Sequence, residues 1–187
     1  PIEGTDLYAS ISSDGKQIVS YSFKTGKQVS VLFDVASAKA PIESIDGYVI
    51  SPDGKKLLVY TKSKAVYRRS FKAEYYSQEI IKKLSEGENQ QVATWSPDSR
   101  HIAFVKDNNI FVTDGDKETQ ITTDGKFNEV INGIPDWVYE EEFSFNRAFA
   151  WNADGTSLGW IRFAERHVKT YSLQHFEGAK PTRSEFH

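Results

Sequence analysis

The chain has 187 residues, 39% hydrophobic, 13% aromatic and 26% charged, a composition that suits a globular core. A net charge of −3 and a pI near 5.9 argue against a basic phosphate-binding face, so no nucleic-acid partner is expected. With no cysteine there is no disulfide and no thiolate metal site, and no apolar run reaches the roughly 20 residues that span a bilayer as a helix.

In chain order, the first signal is the turn Ser12-Ser-Asp-Gly15, followed by the largely apolar run Gln17–Phe23. The pattern returns as Ser51-Pro-Asp-Gly54 before Lys56–Tyr60, as Ser96-Pro-Asp-Ser99 before His101–Val105, and as Asn152-Ala-Asp-Gly155 before Leu158–Phe163. Such turns between hydrophobic runs are hairpin chemistry, because Pro presets φ and Gly supplies positive φ. Second turns, Lys24-Thr-Gly-Lys27 and Asp114-Gly-Asp-Lys117, link middle strands to edge strands such as Gln28–Phe33. The pattern is an antiparallel meander repeated about four times.

From Asp14 to Asp53 to Asp98 to Asp154 the steps are 39, 45 and 56 residues. The first two are close to the range of about 40–50 residues that marks one four-stranded propeller blade. The expected fold is all-β: a partial β-propeller of about four four-stranded antiparallel blades, at residues 5–46, 47–88, 89–127 and 128–187. A small closed four-bladed propeller is the alternative. The absence of methionine, the start at Pro1 and the unclosed ending Thr182–His187 lead to the expectation of a segment of a longer chain. Helical periodicity shows only around Ser77–Leu84 and Asp136–Phe143. Lys82, Lys83, Glu86 and Glu88 read as a solvated turn between blades.

The long third step carries an insertion between Asp124-Gly125 and Trp151, and inserted segments leave the repeated core free for function. It contains Gly133-Ile-Pro-Asp-Trp-Val-Tyr-Glu-Glu-Glu-Phe143. Pro135 suits the first turn of a helix, and Asp136 with Glu140, Glu141 and Glu142 sits where the helix dipole favours negative charge. One reading is a short capped helix whose acids complement the dipole. The other is a paired-carboxylate receptor for an ammonium group, with Trp137 and Tyr139 as aromatic walls.

Other features carry less chemistry. Gly155-Thr-Ser-Leu-Gly159 matches a hydrolase nucleophile pattern, but it follows a repeat turn and starts a β run, whereas a nucleophile elbow needs strand, turn and helix. His101, His167, His175 and His187 show no metal-ligand spacing and are expected at the surface. Trp95 and Trp151 share one repeat position and are expected in the core, as is Trp160.

The stretch Asp136-Trp-Val-Tyr-Glu-Glu-Glu142 resembles the signature insertion of the dipeptidyl peptidase IV family, serine exopeptidases of the prolyl oligopeptidase group. Thr94-Trp-Ser-Pro-Asp98, Ile102–Val105, Asn108–Val112, Ile121-Thr-Thr-Asp-Gly125 and Asn132-Gly133 are similar to the family's propeller strands in the same order. The resemblance implies that Glu141 and Glu142 bind the free N-terminal amine of a peptide substrate. It implies that Glu140 is no direct ligand and faces a structural cation or water. Tyr67-Arg-Arg-Ser-Phe71 stands where the family has a Trp-Arg-His-Ser-Tyr-like segment, so Arg68 matches the functional arginine and Arg69 replaces a histidine.

In that family the nucleophile, acid and base come from an α/β-hydrolase domain, so no catalytic residue, metal or cofactor is expected within these residues. The implied function is substrate recognition for release of N-terminal dipeptides in an extracytoplasmic setting. Homo-oligomerisation through open blade edges is also expected. Two alternatives stand beside this: a non-catalytic propeller binding peptides or proteins through the same loop, and a peptidase releasing tripeptides. The intact Glu141-Glu142 pair counts against the last.

Overall fold

The computed structural model describes residues 1–38, 41–77, 82–169, 171–176, 178 and 182–186. The first repeat forms a three-stranded sheet, β1 (Leu7–Ile11), β2 (Gln17–Ser22) and β3 (Gln28–Asp34). The second forms four strands in sequence order, β4 (Gly47–Ile50), β5 (Leu57–Ala65), β6 (Phe71–Ser77) and β7 (Lys82–Lys83). The third does the same with β8 (Gln91–Trp95), β9 (Ile102–Lys106), β10 (Asn109–Thr113) and β11 (Glu118–Gln120). Then come β12 (Val130–Asn132), α1 (Trp137–Phe143), β13 (Phe149–Trp151), β14 (Leu158–Trp160), β15 (Arg162–Ala164) and the hairpin β16 (Tyr171–His175) with β17 (Thr182–Phe186).

The architecture is the expected one, an all-β partial propeller with one short helix. Its blades are less uniform than expected: the first sheet has three strands, and the last repeat consists of two-stranded pairs.

The repeated turns are built alike. In each, a Ser or Asn side chain accepts from the amide five residues on: Ser12 from Gln17 (2.9 Å), Ser51 from Lys56 (2.8 Å), Ser96 from His101 (2.9 Å) and Asn152 from Ser157 (2.9 Å). The turn aspartates accept from the same serine hydroxyls at Asp14, Asp53 and Asp98. The left-handed position falls to Gly15, Gly54 and Gly155, but in the third turn to Ser99 (φ 59°). Ser99 Oγ accepts the amide of Asp53 (3.1 Å), which ties the second and third turns together.

Alternation along the middle strands builds the cores between sheets rather than within them. Leu57 and Val59 join Ile18 and Phe33 of the first sheet, while Leu58 packs with Trp95, Ile102 and Phe104 of the third. Ala103 and Val105 face the last repeat, meeting Ile134 and Phe149. Inner strands are also laced together. Tyr48 donates to the Ala9 carbonyl (2.6 Å), Trp95 to Val49 (3.3 Å) and Trp151 to Thr94 (3.4 Å).

Four expectations are corrected. The helical piece around Ser77–Leu84 is absent from its described residues: Ser77 ends β6 and Lys82–Lys83 form β7, with 78–81 outside the described residues. A periodicity this short gives way to the open edge of β6, where Leu84 donates to the Tyr75 carbonyl (2.7 Å). Lys83 is therefore no solvated turn residue. It lies 3.5 Å from Glu74, a buried acid that also meets Lys62 and the Tyr76 hydroxyl.

Trp160 is 42% exposed, because β14 pairs only with β13 and no described sheet covers its outer face. His101 is half-buried against Trp151 (6.3 Å), and its Nδ1 is buried without a partner. His167 and His175 are exposed, and His187 lies outside the described residues.

Candidate substrate-amine site

The insertion is a loop thrown out of a continuous strand. β12 pairs with β15 (Asn132 opposite Arg162) and β13 pairs with β14 (Phe149 opposite Trp160). Where the two halves meet, the Ala148 amide donates to the Gly133 carbonyl (2.8 Å), so residues 134–147 leave and return at one point. Gly133 takes φ +77°, and a Cβ there would stand 2.8 Å from Ile110 Cγ1. The expected short helix is present as α1.

Pro135 is not in its first turn: Asp136 is the N-cap, accepting the Tyr139 amide (2.7 Å), and Pro135 precedes it. Ser144 ends the helix in a left-handed conformation, its amide donating to the Glu140 carbonyl (3.0 Å).

The three adjacent glutamates have three different environments. Glu140 is 1% exposed; its Oε1 accepts the amides of Arg69 (2.6 Å) and Ser70 (2.9 Å) on the loop between β5 and β6. Its Oε2 is buried without a partner. Both hydrogen bonds to the Glu140 carboxylate come from backbone N–H donors. Glu141 is half-buried and Arg68 Nη2 lies 2.7 Å from its Oε1. Glu142 is exposed and has no hydrogen-bond or ion-pair partner among the described residues. The short capped helix is present, with Asp136 as its cap and Glu140 in its first turn, and Glu140 also serves another loop.

Arg68 and Arg69 diverge. Arg68 goes to Glu141, whereas Arg69 Nη2 donates to Ser144 Oγ (2.9 Å). The Arg69 carbonyl accepts from Asn146 Nδ2 (3.0 Å). Sequence reasoning missed the parts played by Ser70, Ser144 and Asn146, which no motif marks.

The aromatics part as well. Tyr139 packs on Phe143 (5.3 Å) and edge-on against Phe163 of β15 (5.0 Å), fixing α1 to the blade. Trp137 lines a cavity of about 270 Å³ beneath α1, together with Tyr67, Lys72, Glu140, Asn146 and Glu165. Neither Glu141, Glu142 nor Arg68 lines it. Burial raises the Tyr67 hydroxyl pKa, with further contributions from Glu165, Glu140 and Asp136.

Chemically, the loop presents one carboxylate bridged to a guanidinium and a neighbouring carboxylate left open. Such a pair offers negative charge and hydrogen-bond acceptors, the complement of a cation that donates hydrogen bonds. Ser157, by contrast, sits in the turn entering β14 with its amide bonded to Asn152, which is no nucleophile elbow. Among the described residues no group of three or more acids or histidines has metal-holding geometry.

Residues 51–186 match the family model described as the dipeptidyl peptidase IV N-terminal region. A probable dipeptidyl-aminopeptidase B of Podospora anserina is 43% identical over 149 residues, covering 72% of this chain and 16% of that protein. A probable dipeptidyl peptidase 4 of Aspergillus fumigatus is 32% identical over 180 residues, covering 90% of this chain and 23% of that protein. The crystal structure of Porphyromonas gingivalis dipeptidyl peptidase 4 superposes with a TM-score of 0.89 at 36% identity, over 97% of this chain and 27% of that one. The chain thus spans a quarter or less of these curated relatives.

Proposed function

The chain belongs to the dipeptidyl peptidase IV family, and on that premise we propose that it is the substrate-recognition part of a serine exopeptidase releasing N-terminal dipeptides. Glu141 and Glu142 anchor the substrate's N-terminal ammonium. Arg68 orients Glu141 and donates to a backbone carbonyl of the bound dipeptide.

The observation that carries this reading is the Arg68–Glu141 contact at 2.7 Å beside an exposed Glu142 that has no partner among the described residues. A peptide ammonium donates three hydrogen bonds, and two carboxylates side by side satisfy its charge and its donors together. A blocked N-terminus would leave both acids without their cation, so the site rejects it. Holding the amine fixes the scissile bond two residues away, and such orientation supplies several kcal/mol of a reaction barrier. The nucleophile itself lies outside these residues, in an α/β-hydrolase domain, and this chain alone is inactive. Relatives named as dipeptidyl peptidases support the parent activity, and an extracytoplasmic setting belongs to the same proposal.

The test uses the full-length gene product with Glu141→Gln and Glu142→Gln combined. Cleavage of Ala-Pro or Gly-Pro amides should fall by two orders of magnitude or more, roughly the effect of losing a charge-assisted anchor of a few kcal/mol. Wild-type efficiency in the double variant would refute the clamp.

A further inference from the structure

We infer that Glu140 is a positioning residue for this clamp: its buried carboxylate docks the Arg69 and Ser70 amides onto α1 and thereby sets Arg68 against Glu141. The inference rests on the amine-anchor reading and assigns the adjacent acid a distinct part in it.

The geometry separates Glu140 from its neighbours. A carboxylate buried to 1% exposure is costly unless hydrogen-bonded, and this one takes two successive amides on a single oxygen. Two further bonds close the same seam, Arg69 Nη2 to Ser144 Oγ and Asn146 Nδ2 to the Arg69 carbonyl. All four join the β5–β6 loop to α1 and the residues just after it.

The Arg68–Glu141 pair does not itself secure that seam. The Arg68 side chain is 70% exposed, and an exposed ion pair contributes little against the freedom of a long side chain. The anchor lies one residue from each clamp partner, since Glu140 adjoins Glu141 and Arg69 adjoins Arg68. Movement at the anchor therefore reaches the clamp through one peptide unit on each side.

The partnerless Oε2 sharpens the inference. Docking uses one oxygen only, so an amide side chain that keeps an acceptor at Oε1 can replace the acid. If Glu140 instead contacted the substrate ammonium, its charge would matter and the amide would not serve.

The test compares Glu140→Ala, Glu140→Gln, Asn146→Ala and the Glu141→Gln/Glu142→Gln double variant in the full-length gene product. The readouts are kcat/KM on a Gly-Pro anilide, inhibition by Ala-Pro against N-acetyl-Ala-Pro, and thermal unfolding. Glu140→Ala should lower kcat/KM by up to roughly a hundredfold, the cost of a misplacement of about 1 Å, and shrink the preference for the free amine. Asn146→Ala should move both in the same direction by less, and Glu140→Gln should stay near wild type.

Equal damage from Glu140→Gln and Glu140→Ala would overturn the inference, because charge and not docking would then be what matters. An unchanged amine preference in Glu140→Ala, with activity lost only alongside thermal stability, would also overturn it, leaving a merely structural role. Wild-type kinetics in Glu140→Ala with a damaged double variant would refute positioning and leave the clamp standing. An undamaged double variant would remove the clamp and this inference with it.

Discussion

At the residue scale, Arg68 and Arg69 are neighbours in sequence with separable tasks. Arg68 contributes its guanidinium, facing Glu141, while Arg69 contributes mainly its backbone, whose amide and carbonyl are both engaged by the α1 side. Arg68→Ala should shift unfolding by less than about 1 kcal/mol, since exposed pairs are worth little, yet raise KM for free-amine peptides clearly. Arg69→Ala keeps its peptide unit and loses only the bond to Ser144. Parallel urea titrations and KM measurements check this; a larger KM effect in Arg69→Ala would reverse the assignment.

Of the candidate site, Glu141 and Glu142 stand out in sequence as an acidic motif, while Arg68 is marked only by the family resemblance; the contact between Arg68 and Glu141 is what the structure adds. The partner of Glu140 was not, because any non-proline residue offers an amide and these amides lie about seventy residues away in sequence. Glu74 was illegible for a related reason: Lys62, Tyr76 and Lys83 converge on it from three strands, and only strand pairing brings them together.

At the scale of elements, α1 has only seven residues, too short to persist without tertiary support. It is held by its Asp136 cap, by Glu140, by Tyr139 on Phe163, and by its root at Gly133. The root is the narrowest point. A methyl group at 133 would meet Ile110 at 2.8 Å and Val105 at 3.1 Å, in a left-handed conformation that side chains disfavour. Gly133→Ala should therefore cost about 1–3 kcal/mol of unfolding free energy and tilt the insertion, weakening peptide binding as well. Denaturant unfolding together with the KM for a Gly-Pro anilide is the measurement; an unchanged protein would mean the loop leaves its strand less tightly than the distances require.

The insertion itself was readable as a lengthened repeat step, since the turns that bracket it are local signals. The described ends of Ser77–Leu84, Ser77 and Lys82–Lys83, are strand rather than helix because a few residues of periodicity say nothing about a neighbouring strand edge. Trp160 was misplaced because the repeat pattern assigns a strand face but not what covers it.

At the scale of the molecule, the repeated turns couple the fold to pH. The carboxyls of Asp14, Asp53 and Asp98 are held below the usual carboxylate range, chiefly by the Ser12, Ser51 and Ser96 hydroxyls, and that of Asp154 is lowered chiefly by Thr156. Glu74 is lowered too: burial opposes its charge, but Tyr76, Lys62 and Lys83 outweigh burial. A carboxyl with a depressed folded pKa binds protons more readily in the unfolded chain. Its contribution is complete above the unfolded value, near 4, and is lost as pH falls through the folded value.

The alkaline side has the opposite sign. Tyr76 is pushed up to about 12, first by burial and then by Glu74, and burial raises Tyr75 further. Such groups stabilise below the unfolded value of about 10 and lose that contribution as pH climbs through the folded one. Stability should therefore be level from about pH 5 to 9 and fall on both flanks. The acid flank comes from groups spread over all four repeats, so no single change should abolish it. Asp98→Asn should flatten the acid limb slightly, and Glu74→Gln should flatten both limbs, because Glu74 is lowered itself and helps raise Tyr76. Urea midpoints measured from pH 3 to 11 give the curve. A midpoint that holds constant down to pH 3 would show that the turn hydrogen bonds persist in the unfolded chain.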